Sequence, residues 1–376
     1  RTDSPTLNIF GLSQEDLRKE LEKIGVERTK VRMRAKQIWS SLYTQGSQSF
    51  GEMTTLSKSL RLELKNKLGI KRPQMLNKHI SDDGTRKYLL GIDENQQIET
   101  VYIPDKNRGT LCISSQVGCT LNCSFCHTGT QKLVRNLTVD EIVGQLLVAR
   151  DDLNDWPNKL KKPNKNRFIS NLVLMGMGEP LYNFDCVKKA MQIIMDREGI
   201  ALSRKRITLS TSGVVPEIER VGHEIGCLLA ISLHATTDEI RNQLVPINKK
   251  WNISKLLESI KNYPNLSNSE RVTFEYVMLK DINDSDADAK RLINLISGIP
   301  AKVNLIPFNT WPGTHFERSE PERINSFAKI INKAGYPSPV RQPRGEDVMA
   351  ACGQLKSASK KISVSKKIFE GSLFHN

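Results

Sequence analysis

Three cysteines stand close together in Gly118-Cys119-Thr120-Leu121-Asn122-Cys123-Ser124-Phe125-Cys126, a Cys-x3-Cys-x2-Cys array. Three thiolates at this spacing can hold three irons of a [4Fe–4S] cluster and leave the fourth iron open. Fully ligated electron-transfer clusters use four cysteines, so the missing fourth ligand points to a cluster that binds something. Structural zinc is the competing chemistry: Cys123 and Cys126 would form half of a four-ligand site, completed by Cys119 with Cys112 or His127. Disulfides do not fit, because seven cysteines in 376 residues are sparse and odd in number. No secretory segment or membrane-length apolar run is evident, so the expected compartment is reducing and the expected location cytoplasmic.

The elements that would position such a cluster follow from periodicity. Extended runs are predicted at Gln97–Pro104, Thr110–Val117, Asn171–Met177, Arg206–Thr211, Leu228–Leu233, Arg271–Leu279 and Lys302–Phe308. Helical patterns separate most of them, near 138–153, 185–196, 252–262, 286–297 and 320–334. Thr138 with Glu141 forms a capping-box pattern at the start of the first. Strands rich in Val, Ile and Leu alternating with amphipathic helices indicate a parallel α/β sheet or barrel. Polar residues gather at the strand ends: Gly176-Met177-Gly178-Glu179-Pro180, Ser210-Thr211-Ser212-Gly213, Ser232-Leu233-His234 and Pro307-Phe308-Asn309. In a parallel barrel these ends converge on one face, where ligands bind.

The first 75 residues read instead as short helices, opened by Ser13 with Asp16 and continued over 32–42 and 58–68. Trp39 and its neighbours suit either RNA contact or a small core. Net charge is +15, and its distribution is uneven. Residues 1–90 carry 18 Lys/Arg against 10 Asp/Glu, and the tail 354–376 carries five lysines against one glutamate. Basic flanks around a nearly neutral middle point to a polyanionic partner, nucleic acid first. Asn154–Arg167, with four lysines and two prolines, reads as a surface loop.

Taken with Leu209–Val214, Ile231–Ala235, Arg344-Gly345-Glu346-Asp347 and Ala351-Cys352-Gly353-Gln354-Leu355, these motifs resemble the RlmN/Cfr family of radical S-adenosylmethionine (SAM) RNA methyltransferases. The resemblance runs from the basic helical start through Cys352. It implies an α/β fold, a partial TIM-like (β/α)6 barrel with a small N-terminal helical RNA-binding domain. The divisions expected are 1–75 for the helical domain, 76–95 for a linker or first extended segment, 96–345 for the barrel and 346–376 for a C-terminal segment.

It also implies roles. Cys119, Cys123 and Cys126 would ligate a [4Fe–4S] cluster, while Gly178, Glu179, Ser210, Ser232, Leu233, His234 and Asn309 would bind SAM. Two SAM molecules per turnover would methylate C2 of adenosine in 23S rRNA and in tRNA. Cys352 would carry the methyl group as S-methylcysteine, Cys112 would release the product through a transient disulfide, and Glu99 would accept a proton. Cys186 and Cys227 match no functional position and are assigned to packing. The partners implied are rRNA, tRNA and an electron donor such as flavodoxin with its reductase, with a monomeric enzyme and no membrane. A Cfr-like C8 methyltransferase and a non-catalytic, zinc-stabilised RNA-binding protein are the rival readings.

Overall fold

A computed structural model of the chain describes residues 7–106, 108–156 and 167–357. Most of the lysine-rich 154–167 stretch, and the basic tail beyond 357, lie outside the described residues. Three helices build the N-terminal part: α1 (Gln14–Lys23), α2 (Arg28–Ser40) and α3 (Lys58–Lys67). Ser13 and Asp16 cap α1 reciprocally, as their spacing predicts. Trp39 packs on Tyr43 with ring centroids 4.5 Å apart, and both side chains are buried. Trp39 is therefore core and not an RNA-contacting surface residue.

Nine strands then form one sheet. β1 (Gln74–Ile80), β2 (Arg86–Asp93) and β3 (Gln96–Asp105) pair antiparallel. The stretch 76–95 is thus largely a strand pair of the sheet. β3 pairs antiparallel with β4 (Arg108–Cys112), where the direction changes. From there β5 (Asn171–Leu174), β6 (Ile207–Thr211), β7 (Leu228–Ser232), β8 (Val272–Met278) and β9 (Ala301–Pro307) follow in parallel, each beside the previous one. β4 to β9 are the six parallel strands of a partial (β/α)6 barrel. Every residue of β8 is buried, as expected for a strand covered on both faces. Its period of two sends Glu275 and Val277 into a cavity and Tyr276 outward onto Phe327, 5.3 Å between ring centroids.

The crossover helices are α4 (Val139–Leu153), α5 (Phe184–Met195), α6 (Val215–Arg220), α7 (Asp238–Leu244), α8 (Ile253–Lys261), α9 (Asp286–Leu295) and α10 (Pro321–Lys333). α6 and α7, six and seven residues long, are too short to display a helical period in sequence. α4 binds several parts of the molecule at once. Its Asp140 accepts from Asn8 Nδ2 at 2.8 Å, and its Asp151 pairs with Arg72. Asp152 accepts from Lys78 and Arg86, each at 2.6 Å, and from the Tyr88 hydroxyl at 3.0 Å. Gln145, fully buried, brackets Ser114 through the Ser114 N–H and C=O at 2.8 and 2.9 Å.

Arg150 completes the joint between helix and N-terminal domain. Its guanidinium donates to the carbonyls of Tyr43 (3.1 Å) and Asp155 (3.0 Å) and lies 4.1 Å from the Trp156 ring. Burial lowers its pKa to about 10. Arg150→Ala leaves two buried carbonyls unpaired at about 1–3 kcal/mol each. The variant should lose about 2–5 kcal/mol of stability, read as a lower urea midpoint with the slope unchanged.

Candidate active site

The polar strand ends converge as the barrel geometry requires. After β4 the chain turns through Ser114 and Ser115 into the cysteine loop, so the predicted run Thr110–Val117 is broken in two. Gln116 anchors this turn. Its Oε1 accepts from the Glu179 N–H (3.0 Å) and the Thr120 N–H (3.2 Å), and its Nε2 donates to Asn136 at 2.8 Å. Gly178, with φ of +99°, crosses directly over this side chain. A Cβ there would sit 2.5 Å from Gln116 Cβ, so only glycine fits.

Cys119, Cys123 and Cys126 all line one cavity, with Gly178, Glu179, Ser210, Ser232, His234 and Asn309 on its other walls. All three cysteines are free. Burial raises their pKa values, that of Cys119 to about 12 and that of Cys123 well above the ordinary thiol range. Backbone N–H groups already face two of the sulfurs: Leu121 donates to Cys119 Sγ at 3.4 Å, and Gly129 donates to Cys126. Such hydrogen bonds tune the potential of a sulfur-ligated cluster. Three inward thiols, a close glycine approach and a buried carboxylate form a donor set that fits an iron–sulfur cluster with an amino-acid-like ligand beside it. Among the described residues no three His, Cys, Asp or Glu side chains converge as one metal ion would need.

Glu179 is the carboxylate in question. It is 2 % exposed and accepts from the N–H groups of Leu181 (3.1 Å) and Ser212 (2.9 Å). Burial outweighs those bonds and raises its pKa to about 7. His234 adopts φ of +60°, and its Nδ1 accepts from the Val277 N–H at 3.1 Å, which leaves the ring proton on Nε2. Burial, with Arg241 nearby, lowers its pKa to about 3, so the imidazole is neutral. Leu233 does not line the cavity. Its N–H donates to the Glu275 carbonyl at 3.1 Å, and its carbonyl accepts from Arg241 Nε at 3.0 Å.

Sequence reasoning passed over Arg241, Glu275 and Arg341. Arg241, fully buried, donates also to the carbonyls of Ser212 (2.7 Å) and Ser232 (3.0 Å), stitching the ends of β6 and β7 together. Glu275 is 3 % exposed, accepts from Asn304 at 3.0 Å through Oε1, and has no partner for Oε2. No local motif marks these positions; their roles arise from contacts across the barrel.

The C-terminal segment closes over the cysteine loop. The His127 N–H donates to the Gly353 carbonyl at 2.7 Å, and the Thr128 hydroxyl donates to the Leu355 carbonyl at 2.6 Å. Gln131 exchanges hydrogen bonds with both backbone groups of Ser357. Trp311 stacks on His127 at 4.9 Å and donates to the Phe125 carbonyl at 2.9 Å. Asn309 Nδ2 holds the Cys352 carbonyl at 3.1 Å. Cys352 itself is exposed, which sets it apart from the small buried hydrophobe its Ala-Ala-Cys-Gly context suggests. It shares a second cavity with Cys112 and Cys126. Burial, then the nearness of Cys352, pushes Cys112 up to about 12.

Glu99 lies outside both cavity walls. It is not a solvated carboxylate, because β3 is an inner strand of the sheet. Lys87 Nζ approaches it at 3.3 Å and the Lys356 N–H donates to Oε2 at 2.8 Å. Burial raises its pKa against those two contacts.

Residues 113–293 match the Radical SAM superfamily, and residues 7–70 match the ribosomal RNA large subunit methyltransferase N-terminal domain. The dual-specificity RNA methyltransferase RlmN of Dinoroseobacter shibae is 61% identical over 360 residues, 96% of this chain and 91% of that protein. RlmN of Cereibacter sphaeroides is 62% identical over 360 residues, 96% of this chain and 92% of that protein. The chain belongs to the RlmN family. It is a radical SAM RNA methyltransferase. A crystal structure of a radical SAM methyltransferase from Sphaerobacter thermophilus superposes with a TM-score of 0.84 at 39% identity, covering 93% of this chain and 99% of that one. The chain therefore shares the fold of that radical SAM methyltransferase along nearly its whole length.

The buried Glu179 carries a pH signature. Its folded pKa is raised, so its stabilising contribution is full below about 4.5 and is lost as pH rises through about 7. The difference corresponds to about 3 kcal/mol. The difference in urea-unfolding free energy between cofactor-free wild type and Glu179→Gln should shift by about that much from pH 5 to pH 8, the opposite titration of buried His234 cancelling between the two proteins, and Glu179→Gln should weaken SAM binding.

Proposed function

We propose that this RlmN-family enzyme methylates C2 of adenosine in ribosomal and transfer RNA, with Cys352 as the methyl carrier. One observation supports the reading most: an exposed sulfur lies on a segment hydrogen-bonded to the three-cysteine loop and shares a cavity with a second, buried cysteine. When bound at Cys119, Cys123 and Cys126, a [4Fe–4S] cluster with SAM supplies a methyl group and a hydrogen-abstracting radical.

The protein's own groups then have distinct tasks. Glu179 is placed to accept hydrogen bonds from an ammonium, and loss of its proton at neutral pH would be favoured by that charge. Gly178, Ser210, Ser232, His234 and Asn309 offer close backbone approach, hydroxyls, an N–H and an amide to the rest of the ligand. Adenine C2 is electron-poor and bears no acidic proton, so a thiol-borne carbon is a better methyl source than direct transfer. Cys352 accepts the methyl group on sulfur. Once that carbon bridges Cys352 Sγ and C2, the Cys112 thiolate attacks Cys352 Sγ: an S–S bond forms, the S–C bond breaks with its electron pair on the carbon, and that carbon takes a proton from solvent, so the base leaves with a methyl group. Glu99, buried and raised in pKa, is held for proton acceptance by Lys87 and the Lys356 N–H.

The base must leave its stack to reach Cys352, which favours adenosines in loops. A groove along α3 lined by Lys58, Arg61, Lys65 and Lys71 would grip the phosphates around that loop. Among the described residues no helix is long and apolar enough to cross a membrane. The reading extends to a flavodoxin-type electron donor, a monomeric enzyme and a cytoplasmic setting.

Nucleoside mass spectrometry of RNA from cells lacking and regaining the protein tests the regiochemistry. Recovery of 2-methyladenosine is expected, whereas 8-methyladenosine alone would move the assignment to the Cfr-like reaction. Cys352→Ala should abolish the mark. Cys112→Ala should leave RNA covalently attached, visible as a slowed, nuclease-sensitive band in a denaturing gel.

A further inference from the structure

Cys352 has one charged neighbour that none of the motifs contains. Arg341 lies after α10 on a segment that runs beside β9, where its N–H donates to the Leu305 carbonyl at 2.8 Å, and its guanidinium Nη1 donates to Cys352 Sγ at 3.3 Å. Both residues line both cavities, and Cys112 lines the second with them. The groups facing the guanidinium are Cys352 on the C-terminal segment, Cys112 on β4, Glu275 on β8 and, more remotely, Lys302 on β9. Glu275 has an unpartnered, buried Oε2 and makes no direct ion pair with Arg341 within contact range among the described residues. Arg341 therefore has a sulfur, and not a carboxylate, as its hydrogen-bonded side-chain partner.

We propose that Arg341 is a catalytic residue of the methyl-carrier cycle, its guanidinium stabilising the Cys352 sulfur as the nucleophile for methylation. The proposal rests on the reading of Cys352 as methyl carrier. A thiol must lose its proton before it can attack a sulfonium methyl group, because the thiolate is the nucleophile. In that step an S–C bond forms on Cys352, the sulfonium C–S bond breaks, and its electron pair stays on the departing neutral thioether; the thiol proton has already gone to solvent, which Cys352 reaches. The product is an uncharged methyl thioether.

Alkylation kinetics test this without RNA. Anaerobic holoenzyme in a Cys112→Ser background is treated with iodoacetamide from pH 6 to 10, and modification of Cys352 is followed by peptide mass spectrometry on the fraction whose Cys352 is unmethylated. Arg341→Met should raise the midpoint of the rate profile by one pH unit or more and slow alkylation at pH 7 about tenfold. Arg341→Lys should recover most of the rate, and Glu275→Gln should move the midpoint down. An unchanged midpoint in Arg341→Met with iron content and far-UV circular dichroism preserved overturns the proposal, as does Arg341→Lys behaving like Arg341→Met. If Arg341→Met does not fold, the Arg341→Lys and Glu275→Gln midpoints decide: movement in the stated directions supports the role, and no movement overturns it. Failure of the methyl-carrier reading shows separately, as RNA methylation that persists in Cys352→Ala whatever the thiol titration gives.

Discussion

The join between the cysteine loop and the C-terminal segment is the constraint on which the site depends, and it is set by hydrogen bonds between two loops far apart in sequence. The His127–Gln131 turn and the Gly353–Ser357 segment are joined by one backbone bond, from the His127 N–H to the Gly353 carbonyl, and by side-chain bonds from the Thr128 hydroxyl to the Leu355 carbonyl and from the Gln131 amide to both backbone groups of Ser357. These bonds belong to residues far apart in sequence, so they form only when the barrel has closed. Everything around them serves that join. Trp311 covers it by stacking on His127, Asn309 fixes the Cys352 carbonyl, and Gln116 holds the opposite side of the cysteine loop against Glu179.

The charges of the site are arranged with the same economy. Arg241 has no carboxylate within its hydrogen bonds and spends its donors on three carbonyls at the ends of β6 and β7 and on Asn248. Burial lowers its pKa to about 10 and leaves it a cation at neutral pH. Glu179 and Glu275, in contrast, are buried acids within reach of the same cavity. A cavity bounded by buried groups of both signs is costly to desolvate and strongly field-bearing once desolvated. That is the physical setting in which an ionic, amino-acid-like ligand has more to gain than solvent does.

Much of this was legible in the chain because it is local. The three cysteines sit within eight residues, each strand end carries its polar residues in a run of three to five, and the caps at Ser13 and Thr138 are four-residue patterns. Features made by long-range packing were not legible. Arg341 and Glu275 belong to no local motif, and only the closed barrel brings them to the walls of the cysteine cavity. The burial of Glu99 escaped because alternation alone cannot show that the opposite face of β3 is covered. Trp39 read equally as RNA contact or core, and only its packing on Tyr43 decides. The direction reversal at β3–β4 escaped for another reason: an extended run looks the same in sequence whichever way its neighbour runs.

The helix α4 touches the N-terminal domain through Asp140, Arg150 and Asp151, the antiparallel strands through Asp152, and the turn before the cysteine loop through Gln145. A single rigid rod thus ties the basic domain to the root of the loop that carries the cysteines. Those contacts set the span between the groove that would hold RNA and the sulfur that would modify it, as a ruler would. Adenosines would then be selected by whether their surrounding fold presents the base at that distance, a criterion of shape that two unrelated RNAs can both meet.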